Sequence, residues 1–476
     1  MFLDPAYESR VALIEATTGR QFSYGEVAEA SMHLAERLRG ARSAFLLARN
    51  DSPTIVAYLA ALMSRVPTLL LSADADETST AELLARYRPE WVLGPIGAEA
   101  LDRAGERVDG AWRREAAAVS AVLAARRPGE DLPAPHPELA LCLSTSGSTG
   151  SPKLVRLSGA ALDANARSIV DALGIHEDDR AITSLPPSYS YGLSVVNSHL
   201  AAGAALILTD ESVLERSFWD CFGRFHATSF AGVPYTYKML RRFDLDALPT
   251  QSLRTLTQAG GRLDVETAQV FQRWIVRARS GRWFTMYGQT EATARIAILP
   301  AEDFERKKGS VGRAIPGGRL TIVDGDGNPL PRGEEGEVFY HGPNVMMGYA
   351  ENPEDFATGD EMRGTLATGD LGRLDDEGYL TVTGRNKRIG KVFGLRINLD
   401  EVEDLLREGG PSAALAAEDR LVVFTEWGND GELAARRKAL AERLRVFPRA
   451  VEIRRVDALP RTPNGKIDYM RLKDSV

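Results

Sequence analysis

Cysteine is nearly absent from this chain. Cys142 and Cys221 are the only two in 476 residues, too few for a disulfide framework or for zinc-type spacing. Histidine is scarce as well, and its six copies show no metal-ligand spacing. No apolar run is long enough to span a bilayer: the most apolar region, Ala44 to Leu71, is broken by Arg49, Asn50, Asp51, Arg65 and two prolines. Positive charge is in deficit, with a formal net charge of −8, so no basic stripe for nucleic acid is expected. The opening residues, Met1-Phe2-Leu3-Asp4-Pro5, lack the basic-then-apolar pattern of a secretory signal. These absences lead to the expectation of a cytoplasmic protein with no membrane span and no nucleic-acid partner. The 476 residues exceed the ~250–300 at which single cores stop growing, so two or more domains are expected.

The most informative stretch present is Leu143-Ser144-Thr145-Ser146-Gly147-Ser148-Thr149-Gly150-Ser151-Pro152-Lys153, directly after the apolar run Leu139 to Leu143. Six of its eleven residues carry a hydroxyl and two are glycine. Backbone N–H groups and hydroxyls in such a loop suit a polyphosphate, because glycine has no Cβ to hold the phosphate away. The spacing is not that of a Walker A loop, since Pro152 stands where its second glycine would be.

Around this loop the first two-thirds of the chain alternates strand and helix. Strands are expected at Ala44–Ala48, Thr68–Leu71, Ala205–Leu208, Thr228–Val233, Leu253–Thr257 and Trp283–Met286. Helices are expected after Ser52, which reads as an N-cap, and over Glu211–Phe225 and Asp264–Arg279. That alternation implies parallel sheets with right-handed crossovers. The phosphate-type loop, Gln258-Ala259-Gly260-Gly261 and Tyr287-Gly288-Gln289-Thr290-Glu291 all follow strands, the edge where open α/β sheets bind ligands. From about Gly309, Asp-Gly turns between alternating apolar runs indicate a β-rich subdomain, to about residue 385. The last 90 or so residues read as a small α+β domain, with strands Leu421–Phe424 and Val451–Val456 and a helix Leu433–Leu444.

Five motifs occur in one order: the loop ending at Lys153, Tyr287-Gly288-Gln289-Thr290-Glu291, Thr368-Gly369-Asp370, Gly384-Arg385-Asn386-Lys387 and Pro463-Asn464-Gly465-Lys466. Together they resemble the adenylate-forming superfamily of acyl-CoA synthetases, nonribosomal peptide synthetase adenylation domains and beetle luciferases. The resemblance implies an α/β fold: a large domain over 1–386 of stacked, mostly parallel sheets with the β-rich subdomain, and a mobile lid over 387–476. It implies an enzyme that uses Mg²⁺ and ATP to adenylate a carboxylic acid, then passes the acyl group to a thiol. Coenzyme A is the first expectation for that thiol, a carrier-protein phosphopantetheine or an amine the alternatives, and a non-catalytic nucleotide-binding homologue the reading from another class.

The resemblance also implies roles. Thr145, Ser146, Gly147, Ser148, Thr149, Gly150 and Lys153 would cradle the β- and γ-phosphates. Gly260, Gly261, Tyr287 and Gly288 would surround the adenine, and Thr290 would donate to the α-phosphate. Glu291 is a hard oxygen ligand suited to Mg²⁺. Asp370 would accept from both ribose hydroxyls, with Arg385 beside it. Lys466 would bridge the incoming carboxylate and the α-phosphate, where charge develops. Lys387 aligns with the hinge, and Lys391 with Gly394 belongs to the face used for transfer. Tyr189, Tyr191, Phe230, Val233, Tyr235 and Ala259 would line an acyl pocket suited to an aryl or medium-sized group. The chain departs from the family pattern in four ways, one of them a closing domain shorter than is typical. Tyr189 stands where a histidine is common, no acidic residue lies between Leu185 and Asn197 to grip an α-ammonium group, and Leu399 replaces the usual proline after the hinge.

Overall fold

The computed structural model describes residues 2–75, 77–94, 115–117, 120–122, 124–126, 133–144, 153–385, 388–392, 395–417, 420–444, 446–462, 466–473 and 475. The chain forms two compact units, one of Met1–Gly147, Ser151–Arg319 and His341–Leu366, the other of Leu320–Tyr340 and Ala367–Val476.

The first unit is built on two sheets. In the nine-stranded sheet the neighbours Arg282–Tyr287, Thr255–Gln258, Ser229–Gly232, Arg180–Ile182, Ala205–Leu208 and Val11–Glu15 are all parallel. Antiparallel strands close its edges, Ala297–Leu299 and Arg313–Ala314 at one side and Gln21–Ser23 at the other. Strands such as Thr255–Gln258 and Ala205–Leu208 are buried along their whole length. Helices cross over between the parallel strands; Ala205–Leu208 accordingly reads as a continuous apolar run, whereas in Thr255–Gln258 the polar side chains of Thr257 and Gln258 are satisfied by the Tyr191 hydroxyl and Gly261 O. Helix Val265–Arg279 is one such crossover, capped by Asp264, whose Oδ1 accepts from Thr267 N at 2.8 Å.

The seven-stranded sheet runs Gly348–Ala350, Leu154–Ser158, Leu139–Ser144, Thr68–Ser72, Ala44–Ala48, Trp91–Leu93, Ala124–Arg126. Leu139–Ser144 and Leu154–Ser158 pair as an antiparallel hairpin with Ser144 opposite Leu154. The strand before the phosphate-type loop therefore lies in a different sheet from the strands before Gly260 and Tyr287. A single sheet edge does not unite the three stretches, as sequence order alone had suggested.

Several helix starts differ from expectation; that of Asp430–Leu444, for one, lies three residues ahead of the expected Leu433. Asp51, not Ser52, caps helix Ser52–Ser64, its Oδ1 accepting from Thr54 N at 2.9 Å. The helix expected from Glu211 begins only at Arg216, because hydroxyls compete for the preceding amides. Glu211 N donates to Thr209 Oγ1 at 3.1 Å and Leu214 N to Ser212 Oγ at 3.2 Å.

The second unit contains a four-stranded sheet, Arg319–Val323, Gly336–His341, Thr365–Leu374 and Leu380–Arg385. Beyond it lie the hairpin Ile389–Val392 with Leu395–Asn398 and the three-stranded sheet Ser412–Ala417, Arg420–Thr425, Val451–Arg455. Helices Leu399–Leu406 and Asp430–Leu444 pack a core with Val392, Val402, Leu421 and Val451. Leu399 stands at the first helical position, where proline is favoured, and is 6% exposed within that core. Its side chain substitutes packing for the proline's fixed φ.

Candidate active site

The first unit presents its candidates at the carboxyl edge of the nine-stranded sheet. Tyr287 ends strand Arg282–Tyr287, and a single 3₁₀ turn, Thr290–Ala292, follows. Main-chain bonds close the loop, with Ala294 N donating to Gln289 O at 3.2 Å and Ile296 N to Tyr287 O at 2.9 Å. Gly288 is required by this turn, because any Cβ there would overlap the Ala294 carbonyl. Buried Asn344 pins the loop from outside, donating to Ala292 O at 2.7 Å and Arg295 O at 2.9 Å.

The turn sets two chemically useful groups side by side. Thr290 Oγ1 lies 3.2 Å from Ser190 Oγ at the start of helix Ser190–Ala201. Glu291 Oε1 accepts from the Tyr349 hydroxyl at 3.0 Å, and burial together with Glu291 pushes the Tyr349 hydroxyl pKa well up, so Tyr349 stays a donor. Tyr349 arrives on strand Gly348–Ala350, which pairs antiparallel with Leu154–Ser158. Fully buried Arg156 fastens that edge: its Nε donates to Tyr349 O at 3.1 Å and its Nη2 to Glu361 Oε2 at 2.6 Å. Beyond the same strands, Lys153 Nζ and Glu351 Oε1 form an ion pair at 2.6 Å with both side chains about half exposed. An exposed pair contributes little, roughly 0–1 kcal/mol, so an anionic ligand could displace Glu351 from Lys153 at small cost.

Gly260 follows strand Thr255–Gln258 with φ +83°, and a Cβ there would collide with the Tyr189 hydroxyl. Gly261 O accepts from Gln258 Nε2 at 2.8 Å. Four of the six acyl-pocket candidates, Tyr191, Phe230, Val233 and Ala259, are buried, Tyr189 is half-buried, and Tyr235 is exposed on helix Pro234–Leu240. Tyr191 donates to Thr257 O at 2.9 Å, and burial pushes its hydroxyl up to about 12. Phe230 packs edge-on against Phe218 and Tyr237. Cys142 is excluded as a nucleophile, because burial pushes its thiol up to about 12.

The second unit holds the remaining described candidates. Asp370 and Arg385 stand opposite each other on antiparallel strands, Arg385 Nε 3.0 Å from Asp370 Oδ1. Lys466 O accepts from Thr462 N at 2.8 Å, beside an antiparallel bridge between Arg461 and Ile467. Lys391 lies on strand Ile389–Val392. Thr145 to Gly150, Lys387, Gly394 and the side chain of Lys391 lie outside the described residues.

The family model described as AMP-binding enzyme matches residues 5–350. The chain belongs to this family. Among AMP-binding relatives, the indoleacetate–CoA ligase of Aromatoleum aromaticum is 32% identical over 348 residues, 70% of this chain and 66% of that one. A 4-coumarate–CoA ligase of Nicotiana tabacum is 29% identical, over 68% of this chain and 62% of its own. These alignments thus span about two thirds or less of the relatives' own length. A 4-coumarate–CoA ligase of Oryza sativa aligns more fully, at 27% identity over 96% of this chain and 90% of its own. Among solved structures, the o-succinylbenzoate CoA synthetase of Bacillus subtilis with its acyl-adenylate superposes with a TM-score of 0.76 at 23% identity, covering 98% of this chain and 95% of that one. ATP-bound MatB of Rhodopseudomonas palustris does so with a TM-score of 0.76 at 24% identity, over 99% and 96%. These likenesses establish the α/β fold of the AMP-binding enzymes for this chain.

Sequence reasoning missed Ser190, Asn344, Tyr349 and Arg295. Arg295 had a signal, as a lone charge in the otherwise apolar run Ala292 to Leu299 interrupted only by Thr293. Tyr349 had none, since its partner lies 58 residues away.

Proposed function

We propose that this protein adenylates a carboxylic acid with ATP, releasing pyrophosphate, and then transfers the acyl group to a thiol. The observation that carries this reading is the Thr290–Glu291 turn at the carboxyl edge of the parallel sheet, in a chain of the AMP-binding family. A carboxylate is a poor electrophile, because its charge repels nucleophiles and oxide does not leave. Conversion to a mixed anhydride with AMP removes both obstacles. In this reading Thr290 donates to the α-phosphate and Lys153 leaves Glu351 for the outer phosphates. Asp370 and Arg385 hold the ribose, and Lys466 stabilises charge on the reacting oxygens.

Glu291 fits a magnesium ion: Tyr349 occupies one of its oxygens, the other keeps its lone pairs, and Mg²⁺ favours few protein carboxylates with substrate phosphate completing its shell. The ion would neutralise phosphate charge during the displacement. We propose coenzyme A as the thiol, because relatives named as CoA ligases align over 96% and 97% of the chain. A carrier-protein arm or an amine is the alternative acceptor. The acids in the relatives' names, indoleacetate, 4-coumarate and sulfoacetate, support an aryl or aliphatic acid rather than an α-amino acid. The segment from Lys387 is proposed to turn as a lid between the half-reactions. Among the described residues no helix is long and apolar enough to cross a membrane, and use of cellular ATP supports the cytoplasm.

The test is ATP–pyrophosphate exchange over a panel of acids, followed by product formation with CoA. Exchange with some acid and an acyl-CoA product are expected; exchange with none would end the reading, and exchange without acyl-CoA would move the acceptor to a carrier or amine.

A further inference from the structure

Arg295 is a charge without a counterion. It is 1% exposed, and among the described residues no carboxylate lies within ion-pair distance of it. Its guanidinium carbon stands 4.1 Å over the Tyr191 ring, and its Nε donates to Met286 Sδ at 3.4 Å. Its Nη1 is buried with no hydrogen-bond partner. Structural arginines in this protein are treated otherwise. Arg156, equally buried, spends its donors on four carbonyls and on Glu361. A cation stacked on a ring and held by a thioether keeps most of its desolvation cost uncompensated. A core position would be served as well by an apolar residue of the same volume.

The place of this charge matters. Arg295 lines a cavity of about 20 Å³ with Thr257, Ser229, His199, Phe230 and Asp179, whose carboxylate is already bonded to Arg254 and Thr228. Phe230 belongs to the acyl-pocket candidates, and Tyr191, under the guanidinium, is another. Arg295 thus touches one acyl-pocket candidate and shares this cavity with another.

We propose that Arg295 determines substrate specificity, and that the acid activated by this protein carries a second anionic group, remote from the carboxylate that is adenylated. The second group would take the unpartnered Nη1 and give the guanidinium its counterion. Bidentate pairing with a carboxylate or sulfonate suits arginine's planar fork, which lysine cannot reproduce. This inference rests on the adenylation reading for the reaction, but not for the binding of the second anion.

The experiment uses acid pairs differing only at the far end, hexanoate against adipate and phenylacetate against 4-carboxyphenylacetate, with the wild type, Arg295→Leu and Arg295→Lys. Pyrophosphate exchange should favour the diacid of each pair in the wild type. Arg295→Leu should lose on the order of 10²-fold or more for diacids while monoacids hold or improve, with Arg295→Lys in between. A wild-type preference for monoacids, or an equal loss for both members of each pair, would overturn the proposal. Should Arg295→Leu fail to fold, thermal shift of the wild type decides. Stabilisation by adipate but not hexanoate supports the proposal, and equal shifts refute it. Thermal shift also separates the two readings: absence of exchange with every acid would sink adenylation, whereas the binding preference tests Arg295 alone.

Discussion

Asp370 and Arg385 are cross-strand partners: the carboxylate is 3% exposed, the arginine side chain 61%, and 3.0 Å separates Oδ1 from Nε. The strand pairing holds the carboxylate in place while the exposed arginine remains able to follow a ligand.

Asp370→Ala is therefore expected to act on nucleotide use more than on folding, since no buried charge is orphaned when the carboxylate is lost. Loss of charged hydrogen bonds of about 1.5–3 kcal/mol would raise the KM for ATP roughly 10- to 100-fold. Exchange rates measured against ATP concentration check this, and unchanged ATP dependence would remove Asp370 from the nucleotide site.

Lys466→Ala should abolish acyl-AMP formation, by on the order of 10²–10³ or more, and spare transfer from supplied acyl-AMP. The paired assays are pyrophosphate exchange and thiol acylation from synthetic adenylate. Near wild-type exchange would dismiss the role given to Lys466.

Gly288→Ala places a methyl group against the Ala294 carbonyl inside a closed turn. A destabilisation of roughly 1–3 kcal/mol is expected, seen as a lower urea midpoint, together with lost exchange because Thr290 and Glu291 shift. Wild-type stability would show that the turn relaxes freely.

His199 links pH to stability. Its Nδ1 lies 2.9 Å from Val195 O, which only accepts, so Nδ1 carries the proton and Nε2 accepts from Ser229 at 3.0 Å. Burial lowers its pKa from 6.5. Below pH 6.5 the unfolded chain then binds a proton that the folded one refuses, so stability falls as pH drops from 6.5 toward the folded value, by at most about 1.4 kcal/mol per pH unit. His199→Gln should flatten this limb of the urea midpoint against pH, and an unchanged slope would assign the limb to other groups.

Arg388 sits directly after the expected hinge and stacks 3.9 Å over the Tyr469 ring, while its guanidinium bonds Asp400 and Glu403. Tyr469 in turn donates to Glu403 at 3.0 Å. Glu403→Gln should destabilise the second unit by about 1.5–3 kcal/mol, because Arg388 keeps Asp400 as a counterion. Tyr469→Phe should cost about 1 kcal/mol. Denaturation of both variants gives the comparison, and equal small losses would mean that solvent satisfies the pair.

The sequence by itself determined what depends on neighbours along the chain. Strands at Ala44–Ala48 and Ala205–Leu208 stand where apolar runs placed them, because a strand buried on both faces needs no distant information to be apolar. The order of the motifs likewise pointed to the AMP-binding family without any coordinates. Only tertiary structure decided that Leu139–Ser144 belongs to a separate sheet, that Tyr349 reaches Glu291, and that Arg388 anchors Tyr469 across 81 positions of sequence. Those pairings follow from strand register and from which polar groups remain unsatisfied after the core has formed, and neither leaves a period in the sequence. Arg295 lies between the two. Its residue type was legible as one charge in an apolar run, but its missing counterion became visible only once the surrounding chain had packed.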